Sequence, residues 1–212
     1  RDSLLGGASQ QISIVPMNLL SNEGHAEHIV TGHIAILAYQ DAQKIGNIQL
    51  AASTEEDKFS RIPSPDEYTL DLDADYVHIT TNNTIFGTEW KNIPETGDVP
   101  LIADTSSNMF SKPININDYG LIYAGAQKNL GAAGVTLVII RDDLLKRSPE
   151  VLPSMFNYNY HVKGKSAYNT PPVFGIYILG LVIKWLKCQG GLESMDRINL
   201  SLIHISEPTR RY

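Results

Sequence analysis

The sequence predicts a layered α/β domain with a mostly parallel central sheet, and three observations carry that expectation. Helical and strand signals alternate along the chain. The strand runs are near-continuously apolar instead of strictly alternating, which suits a sheet covered on both faces. Polar residues also stand just where several of these runs stop, the position at which open α/β sheets bind their ligands.

The elements follow in order. A glycine-led amphipathic segment over 8–20 and a helical run over 34–45 precede a strand, IQLAAS, and a charged, proline-punctuated loop that extends through Pro65. The opening order therefore reads helix, helix, strand. Four short β-branched runs bounded by turn residues come next: YVHITTN (76–82), VPLIAD (99–104), LIYAGA (121–126) and VTLVII (135–140). A long helix over Pro171 to Gln189, read as buried, ends at Gly190 and Gly191.

The 212 residues, 42% hydrophobic and 19% charged, have the composition of an ordinary folded domain. A net charge of −6 and the lack of any Lys/Arg block exclude a nucleic-acid surface and point to a small-molecule partner. The single cysteine, Cys188, allows no internal disulfide or Cys-rich metal cluster, which fits a reducing, cytoplasmic setting. Because Trp185 lies one turn earlier in the same helix, Cys188 reads as a packing residue. No two histidines have zinc-ligand spacing with a carboxylate, and no metal is expected. The most apolar run, 173–186, is broken by Gly175, Gly180 and Lys184 and is too short to cross a bilayer.

Both ends are unusual. Arg1 replaces an initiating Met, and Gly6-Gly7 opens a motif that normally follows a strand, so a segment is expected upstream. Residues 1–199 form the readable domain. Residues 200–212 are expected to be a non-native tail, since no apolar period continues the helix and SLIHISEPTRRY resembles translated adapter sequence.

Three strand ends carry chemistry: Asp104 closes VPLIAD, Thr84 follows VHITTNN, and Lys128 follows LIYAGAQ before the Gly131 to Gly134 turn. Taken singly, each is the kind of residue that caps a turn or faces water. Together they supply what Schiff-base chemistry requires, an amine in a partly desolvated site and an acid for a ring nitrogen. Two helix starts could hold an anion. Gly6-Gly7-Ala8-Ser9 offers free N–H groups and a hydroxyl, and Asn169-Thr170-Pro171-Pro172 has Thr170 as the expected N-cap. From the pattern alone, plain capping without a ligand is the better explanation of either start.

ADTSSNMFSKPININDYGLIYAGAQKNLGAAGVTLVIIRDDLL, with GGASQQISIVPMNLL, VHITTNNTIFGTEW and YNTPPVFGIYILGLVIKWLKCQGGLESMDRIN in the same order, resembles the phosphoserine aminotransferases. These belong to the pyridoxal-phosphate (PLP) dependent fold-type I enzymes. The resemblance implies a three-layer large domain in which Lys128 holds the cofactor and Asp104 pairs with its pyridinium nitrogen. It places Thr84 by the phenolic edge, and Ala8, Ser9 and Gln127 at the phosphate. Asn169 and Thr170 would reach the phosphate of the partner subunit's cofactor, which implies a homodimer sharing its sites. The implied reaction exchanges an amino group between glutamate and 3-phosphohydroxypyruvate in serine biosynthesis. One departure stands out: Ile34 occupies the position where the family usually stacks a Trp on the ring. An inactive or incomplete cofactor domain, or another fold-type I transaminase, are the alternatives. A cysteine desulfurase fits poorly, because it needs a mobile nucleophilic Cys and Cys188 falls within a helix. His78 and His161 read as hydrogen-bonded structural histidines.

Overall fold

A computed structural model describes residues 2–5 and 7–206, with side chains over 7–202. Nine strands are found among these residues: β1 (Asp2–Leu5), β2 (Ala26–Val30), β3 (Ile48–Ser53), β4 (Val77–Thr80), β5 (Asn82–Asn83), β6 (Thr88–Glu89), β7 (Leu101–Asp104), β8 (Leu121–Gly125) and β9 (Val135–Ile140). The helices are α1 (Ala8–Leu19), α2 (His33–Gln43), α3 (Asp142–Leu145), α4 (Tyr158–Lys163), α5 (Val173–Cys188) and α6 (Gly191–Ser206).

Seven strands form one sheet in the order β1-β9-β8-β7-β4-β2-β3, while β5 and β6 make a separate two-stranded ribbon. Only β9 runs against its neighbours; the pairings β8-β7, β7-β4, β4-β2 and β2-β3 are parallel. The sheet is thus mostly parallel, as the apolar runs predict. Alternation along the strands sends Ile102, Leu121, Tyr123 and Val138 to one face, under Ile14, Val15 and Leu19 of α1. Ile79, Leu101, Ala103, Ile122 and Ala124 line the other face with Trp90 and Met109, and Ile176 and Leu179 of α5 pack there. Three layers result.

The structure corrects several expectations. β2 lies between β3 and β4 and is buried along its whole length, although the sequence signals pass over it. Its Glu27 and His28 break the apolar pattern and are accommodated by tertiary partners: the Glu27 carboxylate accepts the Asp71 N–H (2.9 Å), and His28 stacks on His78 (4.7 Å). β1 supplies the strand that the glycine-led motif normally follows, and Gly6 lies outside the described residues. The run 76–82 divides, because Thr81 donates its N–H to Asp104 O and the chain then turns into β5.

Thr170 is not a helix N-cap. α5 begins at Val173 with Pro172 as N-cap and no side-chain capping bond. Each of Thr170 and Pro171 precedes a proline, which disfavours helical backbone, so the helix starts only beyond both prolines. α5 is also not a buried helix: among its residues only Gly175 and Leu186 are buried, and Cys188 is exposed instead of packed. α6 continues past Leu200 to Ser206, so the helix does not stop where the loss of apolar period suggests, while residues 207–212 lie outside the described residues. Among the described residues no single helix is long and apolar enough to cross a membrane.

Candidate functional site

The carboxyl ends of β4, β7 and β8 and the start of α2 enclose a cleft lined by His33, Ile34, Asn82, Thr84, Asp104 and Lys128, together with Phe86 and Ser106. Four of the sequence-predicted residues, Ile34, Thr84, Asp104 and Lys128, therefore meet in one place. Parallel pairing is the reason, since it brings successive strand ends to the same edge. Ala8, Ser9, Gln127, Asn169 and Thr170 do not line this cleft.

Asp104 ends β7 and is 4% exposed. Its Oδ1 accepts the Ser106 N–H (2.9 Å) and the Ser106 hydroxyl (2.6 Å) in a turn of the kind Asp forms with the residue two positions on. Ser106 Oγ in turn accepts the Gly125 N–H at 2.9 Å, which ties the ends of β7 and β8 together. Burial pushes the Asp104 carboxyl above its ordinary range, while the Ser106 hydrogen bonds and the Lys128 charge act the other way. A buried carboxylate with one oxygen occupied and, among the described residues, no ion-pair partner in contact suits a cationic group brought by a ligand.

Lys128 lies three residues beyond β8 and is exposed. Its Nζ donates to Thr84 Oγ1 at 2.7 Å across the cleft. Thr84 sits in the turn between β5 and β6, which is anchored from beneath by Asn83: its Nδ2 donates to Thr31 Oγ1 (3.1 Å) and Thr88 Oγ1 (3.0 Å). Gly32, between β2 and α2, allows this packing, since a Cβ there would fall 2.5 Å from Asn83 Oδ1.

Beneath Asp104, on the same sheet face, lies a run of buried titratable rings. The His78 Nε2 and the Tyr123 hydroxyl are 3.0 Å apart, and the His28 ring stacks on His78. Burial holds His78 down to about 4 and His28 well below its ordinary value, with the neighbouring His78 adding to the effect on His28. Burial likewise drives Tyr123 well above the usual tyrosine value. Burial thus favours the neutral form of each group, in keeping with the structural reading of His78. His161 is also structurally engaged, with its Nε2 2.9 Å from Met155 O.

The start of α1 offers a second polar feature near the same sheet edge: Gly7 is an extended N-cap with no side-chain capping bond, followed by buried Ala8 and exposed Ser9. Gln127 folds back so that its amide lies against Gly125. Sequence reasoning missed Ser106 and Phe86. The Asp-x-Ser spacing of 104–106 is a local signal for the first, whereas nothing local marks Phe86.

The family description Aminotransferase class-V matches residues 4–208. The chain is 50% identical over 196 residues to a phosphoserine aminotransferase of Herpetosiphon aurantiacus, covering 92% of this chain and 54% of that protein. It is 48% identical over 204 residues to one of Bacillus cereus, covering 95% and 57%. Among solved structures it resembles the phosphoserine aminotransferase of Bacillus circulans subsp. alkalophilus, with TM-score 0.92, 45% identity, and 96% of this chain and 57% of that one covered. It also resembles the PLP-bound phosphoserine aminotransferase of Trichomonas vaginalis, with TM-score 0.88, 35% identity, and coverage of 93% and 59%. The chain spans about half the length of the relatives it matches.

Proposed function

The chain belongs to the class-V aminotransferase family, and from that premise we propose that it carries the cofactor-binding part of a phosphoserine aminotransferase. In this reading PLP is the cofactor. The reaction moves an amino group between glutamate and 3-phosphohydroxypyruvate, giving O-phospho-L-serine and 2-oxoglutarate in serine biosynthesis, in the cytoplasm. The observation that carries the reading is the meeting of the Lys128 amine, 2.7 Å from Thr84 Oγ1, with the buried Asp104 carboxylate in one cleft.

The residues fit that cofactor. Asp104 bonds Ser106 through Oδ1 alone and would pair with a protonated ring nitrogen through its other oxygen. Lys128 would hold the carbonyl carbon through Nζ, and Thr84, already in reach of Nζ, would lie by the phenolic edge. Ala8 and Ser9 at the uncapped start of α1, with Gln127, would take the phosphate; free N–H groups and the positive end of a helix favour an anion. When bound, PLP supplies an electron sink for the pair left on the substrate carbon as its proton departs. Asp104 would keep the ring nitrogen positive, and the Lys128 amine would move the proton at the substrate α-carbon.

The same reading makes the protein a homodimer with shared sites. Asn169 and Thr170 stand away from the chain's own cleft, and the helix that follows them exposes an apolar stripe. A second reading, a chain that keeps the fold without turnover, draws support from Ile34 in the cleft and from that uncovered stripe.

One experiment tests the proposal and separates the two readings. Purified chain mixed with PLP is expected to show the visible band of lysine-bound cofactor, and Lys128→Ala to lose it. Turnover of glutamate with 3-phosphohydroxypyruvate should exceed that with hydroxypyruvate or glyoxylate and fall by at least about 10²–10⁴-fold in Lys128→Ala. A band without turnover, or no band in either protein, overturns the proposal and favours the second reading.

A further inference from the structure

We infer that Phe86 is a binding residue of this cleft, presenting the aromatic face against which the planar cofactor ring packs. The inference rests on the reading that the cleft takes PLP. A conjugated ring with a charged phosphate needs polar partners at its edges and an apolar surface at its face. Most of the described cleft residues are polar; Ile34, Ile85 and Phe86 are the apolar ones. Ile85 is 70% exposed at the hairpin tip, and Ile34 has no flat surface to offer. Phe86 is 39% exposed and lies two residues after Thr84, in the same turn that reaches Lys128.

Phe86 is also held in place from two sides. Its ring packs on Phe59 with centroids 4.9 Å apart at 55°, and Phe59 is buried with Val30 and Ala35 where β2 meets α2. The backbone is fixed by the Gly87 N–H, which donates to Asn83 O at 2.8 Å, and Asn83 is bonded to Thr31 at the end of β2. Phe59 itself adopts left-handed backbone (φ 56°), which bulky residues rarely do. Strain retained at a position whose ring supports a cleft residue is the pattern expected where geometry serves a ligand.

The test titrates PLP into the full 212-residue chain, reading the dissociation constant and the visible circular dichroism of the bound cofactor. Phe86→Ala and Phe86→Leu are expected to raise the dissociation constant roughly 2- to 13-fold, the value of an aromatic contact beyond simple burial. Both should weaken the induced dichroism, and Phe86→Tyr should restore both readouts. The leucine variant keeps the apolar volume, so it carries the test if the alanine variant misfolds. Binding in both variants within about twofold of the parent chain, with unchanged dichroism, overturns the role of Phe86 alone. No binding by the parent chain overturns this role together with the proposed function.

Discussion

The floor of the cleft and the face of α5 treat their side chains in opposite ways. Asp104, Ser106, His78 and Tyr123 are buried, and each has a named partner inside this chain. Along α5, Phe174 (72% exposed), Tyr177 (60%), Leu181 and Trp185 (53%) follow one another at helical spacing, uncovered by the rest of the described residues. An apolar stripe of that kind marks a surface made to be covered. These four floor residues thus find partners within one chain, whereas the α5 face calls for another polypeptide surface, which the proposed homodimer would supply.

The largest expected effect would break that contrast. If a second copy covers α5, Phe174→Glu combined with Trp185→Glu should weaken self-association by well over about 30-fold, the loss of a single buried aromatic anchor, as read by sedimentation. An unchanged dimer would move the covering role to other chain segments.

A second effect tests whether the floor is self-contained. His78 is held near 4 by burial, below its ordinary 6.5. The folded state therefore disfavours its protonation: the stability is fully present above pH 6.5 and is lost as pH falls from there through about 4. His28, lowered in the same direction, adds to the loss. Tyr123 remains neutral throughout, and Asp104, shifted upward, has the opposite slope, losing stability as pH rises. Denaturant unfolding should show a loss on the order of 3 kcal/mol from His78 over this window. His78→Gln should flatten that slope, and an equally steep curve in the variant would show that the ring is not what titrates.

The smallest effect sharpens the cleft wall. Ile34→Trp should tighten PLP binding by roughly 2- to 13-fold through an added aromatic face. Equal affinity in the two proteins would mean that residue 34 does not touch the ring.

The candidate cleft was legible where local sequence carries it. Asp104 at the end of an apolar run and Lys128 before a glycine turn can be read from their neighbours alone, because a strand end and a turn are short-range features. β2 could not be read so easily, since His28 and Glu27 look like surface residues until His78 and Asp71 arrive from 50 and 44 positions away. Phe86 is equally silent in sequence; only the Phe59 ring and the Asn83 anchor make a loop aromatic part of the cleft.

The layered α/β class, the strands that end in Asp104 and near Lys128, and the likeness to a family are all readable from the amino-acid order. Hydrophobic period and turn chemistry are written over a few residues each. The tertiary structure alone decided that β2 is central, that α5 starts beyond Pro172 and turns an apolar face to water, and that Ser106 joins Asp104 to Gly125. Burial and hydrogen-bond partnership are properties of residues brought together from distant parts of the chain, and no local pattern encodes them.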